Sequence, residues 1–123
     1  MPRSSVMSRT VLIVDDHGPY RVSVRAMLEA EGFTVVGEAG TAAEAIAVAN
    51  DLRPAIVLLD IQLPDQDGFV VAEALASAAE PPSVVLISSR SAQTYGDRLN
   101  HTRARGFIAK SQLTGAAIDA VLG

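Results

Sequence analysis

Cysteine is absent from the 123 residues, which excludes disulfides, thiolate metal sites and cysteine nucleophiles. Tryptophan is absent too, and aromatic residues make up only 4% of the chain. The apolar runs at 11–14, 55–59 and 84–87 fall far short of the ~18 residues that a membrane-spanning helix needs. Residues 1–9 are polar and lack an apolar segment followed by a small-residue cleavage site, so they read as a flexible N-terminal tail on a cytoplasmic chain. Lysine occurs once, at Lys110, among 10 basic residues that are otherwise arginine, which points to a need for an ammonium there. What the chain has in quantity is apolar: 49% of residues, against 20% charged, which excludes intrinsic disorder and leaves room for one core. A net charge of −4 argues against bare nucleic acid as the ligand.

Short β-branched runs at 10–15, 33–38, 55–60, 83–88 and 106–110 alternate with stretches of helical period. Tyr20, Val24, Met27 and Leu28 follow one helix face, and Gly32 is a stop. Thr41 and Glu44 have capping-box spacing ahead of an apolar stripe of Ala42, Ala45, Ile46 and Ala49, with Pro54 at the end. A third helix is expected from Asp67 and Gly68 to about Ala79, before Pro81 and Pro82. Thr114 is the expected N-cap of the last, with Leu113 and Ile118 as a hydrophobic staple. Residues 89–105 have only Tyr95 and Leu99 at helical spacing, so a short or mobile helix is expected there. Five strands alternating with helices predict a doubly wound α/β fold: a five-stranded parallel sheet with helices on both faces. Strand 33–38 is poorer in apolar residues than the others and reads as nearer an edge. The domain is expected to span 10–123.

Ligands of open parallel sheets bind beyond the carboxyl ends of the strands, so the residues ending each run matter most. They are Asp15 and Asp16, Asp60, Ser88 with Ser89, and Lys110, whereas the second run ends blandly at Glu38. Each alone has an ordinary explanation: a helix N-cap, a turn residue, a solvated strand end. Together they make three carboxylates, a hydroxyl and the only ammonium at one sheet edge. Carboxylates so crowded repel and raise one another's pKa unless cations compensate, which points to a hard divalent ion, with Mg²⁺ the natural choice. An Asp carboxylate is also a nucleophile toward phosphorus, and such a transfer needs a metal, a cation and a hydrogen-bond donor around the phosphoryl oxygens.

With Val-Asp-Asp at 14–16, Leu-Leu-Asp at 58–60, Leu-Pro-Asp-Gln-Asp-Gly at 63–68, Ile-Ser at 87–88 and Gly-Phe-Ile-Ala-Lys at 106–110, the sequence resembles the receiver domain of two-component response regulators, a flavodoxin-like fold. The resemblance runs from about Thr10 to Leu122. It implies that Asp60 takes a phosphoryl group from a sensor histidine kinase. It implies that Asp15, Asp16, Asp60 and the backbone carbonyl of Gln62 bind Mg²⁺, that Ser88 hydrogen-bonds the phosphoryl group and that Lys110 pairs with it. Ser88 and the aromatic Phe107 are the implied switch pair; many relatives have Tyr at the latter position, so Phe107 keeps the ring without the hydroxyl. Ser111 stands where the family often has Pro. Gln62 and Arg90 stand at places that in the family flank the phosphoryl group, so the resemblance implies that they modulate its lifetime.

Asp-Asp-His at 15–17, Val-Val-Gly-Glu-Ala at 35–39 and Lys-Ser at 110–111 look most like receivers fused to a helix-turn-helix output domain. The expected partners are therefore the kinase and an output domain or protein, met through the 89–110 face. Direct nucleic-acid or membrane binding is not expected, and a phosphorylation-dependent dimer is compatible with the resemblance. The segment 89–105 carries four Arg and one Asp, a charge that suits either docking an acidic partner or a solvated loop. His17 and His101 lack ligand spacing and read as an active-site neighbour and a surface residue. A single-domain or degenerate receiver serving as an interaction module or phosphate shuttle is the alternative. A nucleotide-binding module is disfavoured by the absence of a glycine-rich phosphate loop, and a phosphohydrolase by Gln62 where a second Asp is expected. The expected role is a phosphoacceptor switch and not a turnover enzyme.

Overall fold

The sheet runs in the order β2-β1-β3-β4-β5, all parallel, in a computed structural model that describes residues 9–123. The elements are β1 (Thr10–Val14), α1 (Gly18–Ala30), β2 (Thr34–Ala39), α2 (Ala42–Leu52), β3 (Ile56–Asp60), α3 (Gly68–Ala76), β4 (Ser83–Ser88), α4 (Ala92–Tyr95), α5 (Arg98–His101), β5 (Gly106–Ala109), a 3-10 turn (Lys110–Gln112) and α6 (Gly115–Leu122). The tail expected at 1–9 lies outside the described residues except for Arg9, whose guanidinium stacks 3.9 Å over Phe33.

Strand alternation sorts the core into two layers, since successive side chains point to opposite faces. Leu12, Val14, Val57, Leu59, Val84 and Leu86 pack with α2 and α3 on one face. Val11, Ile13, Ile56, Leu58, Val85, Ile87 and Ile108 pack with Val24 and Leu28 of α1 and Ile118 of α6 on the other. The central strands are buried on both sides, as their unbroken apolar runs predict; β2 is an edge, as expected.

The end signals worked in most cases. Thr114 accepts from the Ala117 N–H, and Asp67 caps α3 through the Phe69 N–H at 2.7 Å. The capping box at α2 is only half made as predicted: Thr41 Oγ1 accepts from Glu44 N, but Glu44 Oε1 accepts from the Gly40 N–H, one residue before the cap. A distant side chain supplies the remaining donors' partner, Asp65, which accepts from the N–H groups of Ala42 and Ala43 and is held below the usual carboxylate range by those bonds. Helix α3 stops at Ala76, three residues earlier than expected, where Ser77 becomes the C-cap and its hydroxyl bonds the Glu73 carbonyl.

The weak segment 89–105 forms two single-turn helices tied to α3 by its own arginines. Arg98 reaches Asp67 at 2.6 Å and stacks on Phe69, and Arg103 binds Glu73 and Ser77. Arg105 donates to the Leu122 carbonyl. Three of the four arginines that suggested an acidic partner thus already have partners within the chain; of those four, Arg90 makes no side-chain hydrogen bond or ion pair to a described residue.

Gly68 is fixed by close approach. A Cβ there would stand 2.5 Å from the Asp60 carbonyl oxygen and 2.6 Å from Ile61 Cα, both backbone atoms that cannot turn aside. Glycine therefore lets α3 start directly against the strand end that carries Asp60. Gly68→Ala is expected to lower unfolding stability by about 2 kcal/mol through overpacking. Urea denaturation checks this, and an unchanged midpoint would contradict it.

Candidate functional site

The strand order reverses direction at β1, which lies between β2 and β3, so the cleft at the carboxyl ends of β1 and β3 is the topological switch point. Asp15 and Asp16 follow β1, Asp60 ends β3, Ser88 ends β4 and Lys110 follows β5. Register aligns them: Val14 pairs with Leu59, Asp60 with Ile87 and Ser88 with Ala109, so consecutive strands deliver these side chains to one level.

The carboxylates and the lysine converge. The Lys110 ammonium lies 2.5 Å from Asp15 Oδ2 and 3.2 Å from Asp60 Oδ2. The Asp15 side chain is fully buried and that of Asp60 is 5% exposed, while Asp16 is exposed at the mouth. Asp15 Oδ1 accepts from the His17 N–H, and Asp60 Oδ1 from the Gln62 N–H. Burial pushes the Asp60 carboxyl above its ordinary value against the pull of the Gln62 N–H and Lys110; Asp15 adds to the rise. Desolvation works against the Lys110 ammonium, but Asp15 and Asp60 together outweigh it and hold its pKa above the usual lysine value.

One lysine faces two buried carboxylates, with a third at the rim. Asp15, Asp16 and Asp60 each offer an oxygen within 4.8 Å of the others. Among the described residues Asp15 Oδ2 has no partner other than the Lys110 ammonium, which Asp60 shares. Three carboxylates facing a single ammonium leave negative charge uncompensated, and such a set fits a hard divalent cation, which takes oxygen ligands and supplies the missing positive charge.

Several residues that support this site were read otherwise from sequence. Tyr20, taken as one apolar position of a helix face, has its ring 4.9 Å from the Lys110 ammonium and its hydroxyl 3.4 Å from the Lys110 carbonyl. Burial pushes its phenol up to about 12. Glu38, the bland end of β2, receives Arg25 at 2.8 Å and Arg21 at 2.9 Å, and Arg21 also donates to the Asp15 carbonyl. This network pins α1 to the backbone of the acidic pair. Ser88 is fully buried, and its hydroxyl meets Tyr95 Oη at 2.6 Å. Phe107 neighbours Tyr95, with ring centroids 6.1 Å apart. Of the two histidines, His17 adjoins the site through its backbone, and His101 is exposed on α5.

A sheet of this order with carboxylates gathered at its switch point defines a class of doubly wound α/β domain, and comparison with known proteins places it. The family model described as "Response regulator receiver domain" matches residues 11–121, and the chain belongs to that family. The transcription regulator BvgA of Bordetella pertussis is 33% identical over 114 residues, covering 93% of this chain and 54% of that protein. The signal receiver domain of Mycobacterium tuberculosis NarL superposes with a TM-score of 0.79 at 32% identity, covering 93% of this chain and 96% of that one. The BeF3-activated N-terminal receiver domain of Klebsiella pneumoniae RstA gives a TM-score of 0.78 at 26% identity, with coverages of 92% and 94%. The chain is thus a receiver domain of the two-component response regulators, and it spans about half the length of the curated relatives it matches. Among the described residues no helix is long and apolar enough to cross a membrane.

Proposed function

We propose that this receiver accepts a phosphoryl group on Asp60 from a sensor histidine kinase in the cytoplasm and changes conformation to control an output. The observation that carries this reading is the meeting of Asp15, Asp60 and Lys110, from three separate strand ends, within ion-pair distance. In the transfer, an Asp60 carboxylate oxygen attacks phosphorus, the bond from phosphorus to the donor's imidazole nitrogen breaks, and the electron pair leaves with the nitrogen. Asp15, Asp16, Asp60 and the Gln62 carbonyl would hold Mg²⁺, which when bound offsets the charge of the phosphoryl oxygens. Lys110, already against Asp60, pairs with the transferred group, and Ser88 donates its hydroxyl proton to it.

The chain acts as a stoichiometric switch and not as a turnover enzyme. Ser88 and Phe107 are the moving pair, and phosphorylation shifts an equilibrium between two conformations. The 89–110 face, with Phe107 beside Tyr95 of α4, meets an output partner or a DNA-binding domain, and a phosphorylation-dependent dimer through that face is one form of the output. The intact acidic set speaks against a degenerate receiver.

Incubation with acetyl phosphate and Mg²⁺, followed by intact-mass measurement, tests the reading. One phosphoryl group per chain is expected, lost when EDTA is present. Absence of any adduct, or continuous phosphate release without one, would overturn it. Gln62→Ala and Arg90→Ala are each expected to change the adduct's lifetime at least about twofold, on the scale of one hydrogen bond. Both leave backbone groups intact, so half-saturating Mg²⁺ should stay within error; lifetimes equal to the parent's would count against these two roles.

A further inference from the structure

Ser88 is the hydroxyl expected to serve the phosphoryl group, yet its bonds lead away from Asp60. Its Oγ accepts from the Arg90 N–H at 3.0 Å and lies 2.6 Å from the Tyr95 hydroxyl; among the described residues it makes no bond to Asp60. A backbone N–H can only donate, and a serine hydroxyl has a single hydrogen. The short contact to Tyr95 has two directions open to it: Ser88 gives its one hydrogen to the phenol oxygen, or accepts the phenol's.

Tyr95 is itself held from both sides. Its ring stands edge-on to Phe69 at 5.8 Å, on the first turn of α3, and tilted to Phe107 at 6.1 Å, on β5. Phe107 has no hydroxyl, so the phenolic oxygen facing Ser88 comes from α4. That helix is a single turn with no buried residue, ended by Gly96 at φ 54°. Its hold on the domain is Tyr95, gripped by two rings and one buried hydroxyl.

We propose that Tyr95 is a positioning residue for Ser88: the Tyr95 hydroxyl oxygen accepts the serine's one hydrogen in the resting arrangement, and the serine must withdraw it when a phosphoryl group on Asp60 takes the serine as donor. Loss of that bond then frees α4, which carries the change to the surface. The inference rests on the phosphoacceptor reading above and adds a residue to it.

The test is a double-mutant cycle on the full chain with acetyl phosphate and Mg²⁺, reading the rate of adduct formation. Tyr95→Phe keeps the ring packing and removes only the competing hydroxyl. It is expected to accelerate adduct formation on the order of threefold to tenfold, the worth of one hydrogen bond, with half-saturating Mg²⁺ unchanged. In a Ser88→Ala background the same change should have no effect, because the competition has gone. A rate for Tyr95→Phe equal to or below the parent's, or an acceleration that persists with Ser88→Ala, would overturn the assignment. A parent chain that forms no adduct would instead overturn the phosphoacceptor reading and this inference with it. A parent that does form one, with Tyr95→Phe indistinguishable from it, removes the role of Tyr95 alone.

Discussion

Asp60→Asn is expected to abolish the phosphoryl adduct completely while leaving the fold intact. The amide has nearly the shape of the carboxylate and can keep the Gln62 N–H bond on its oxygen, but it lacks the charged nucleophile. Stability should move the other way. Burial raises the Asp60 pKa in the folded chain, so the folded state favours the protonated form. A raised folded pKa contributes stability below the unfolded value, and that contribution disappears as pH rises through the folded one. Without divalent ions the parent should therefore lose stability as pH rises above the ordinary aspartate range, and Asp60→Asn should not show that loss. Thermal unfolding from pH 4 to pH 7 checks the sign, with EDTA present. A variant that accepts phosphate, or a parent that gains stability through this transition, would contradict the account.

Lys110→Met should have the largest effect on folding. The Lys110 side chain is 18% exposed, and its ammonium lies against two carboxylates that are almost entirely buried. Methionine keeps the length of the stem and removes the charge, leaving Asp15 and Asp60 crowded without compensation. Breaking a buried pair in this way costs about 3 kcal/mol. Because a divalent cation can replace the missing charge, millimolar Mg²⁺ should restore more stability to the variant than it adds to the parent. Urea unfolding with Mg²⁺ and with EDTA measures both. Equal Mg²⁺ stabilisation in the two proteins would mean that the ammonium and the ion do not share the carboxylates.

The acidic pair, Asp60, Ser88 and Lys110 were legible in the sequence because each ends or follows a strand, and parallel strands bring their carboxyl ends to one edge. Strand burial was legible for a similar reason: unbroken runs such as 56–59 need apolar neighbours on both faces. The supporting residues were hidden because their partners are remote and follow no local period. Arg103 finds Glu73 thirty residues away, Asp65 caps a helix that begins twenty-three residues earlier, and Tyr20 meets Lys110 across ninety. Tyr95 is a different case. Its spacing marked it as apolar, which is true of the ring; the hydroxyl's contact with Ser88 depends on how a single-turn helix settles on Phe69 and Phe107. The capping box misled by one residue because Glu44 could reach the Gly40 N–H instead, a choice that spacing alone does not distinguish.

The central claim is that three carboxylates and one lysine, far apart in the chain, form a single acceptor site. Phosphorylation by acetyl phosphate with Mg²⁺, trapping of the acyl phosphate with hydroxylamine and peptide mapping of the hydroxamate test it most directly. The account predicts modification at Asp60 alone, lost with EDTA and in Asp60→Asn. Modification at Asp15 or Asp16, at a histidine, or equally at several carboxylates would contradict it.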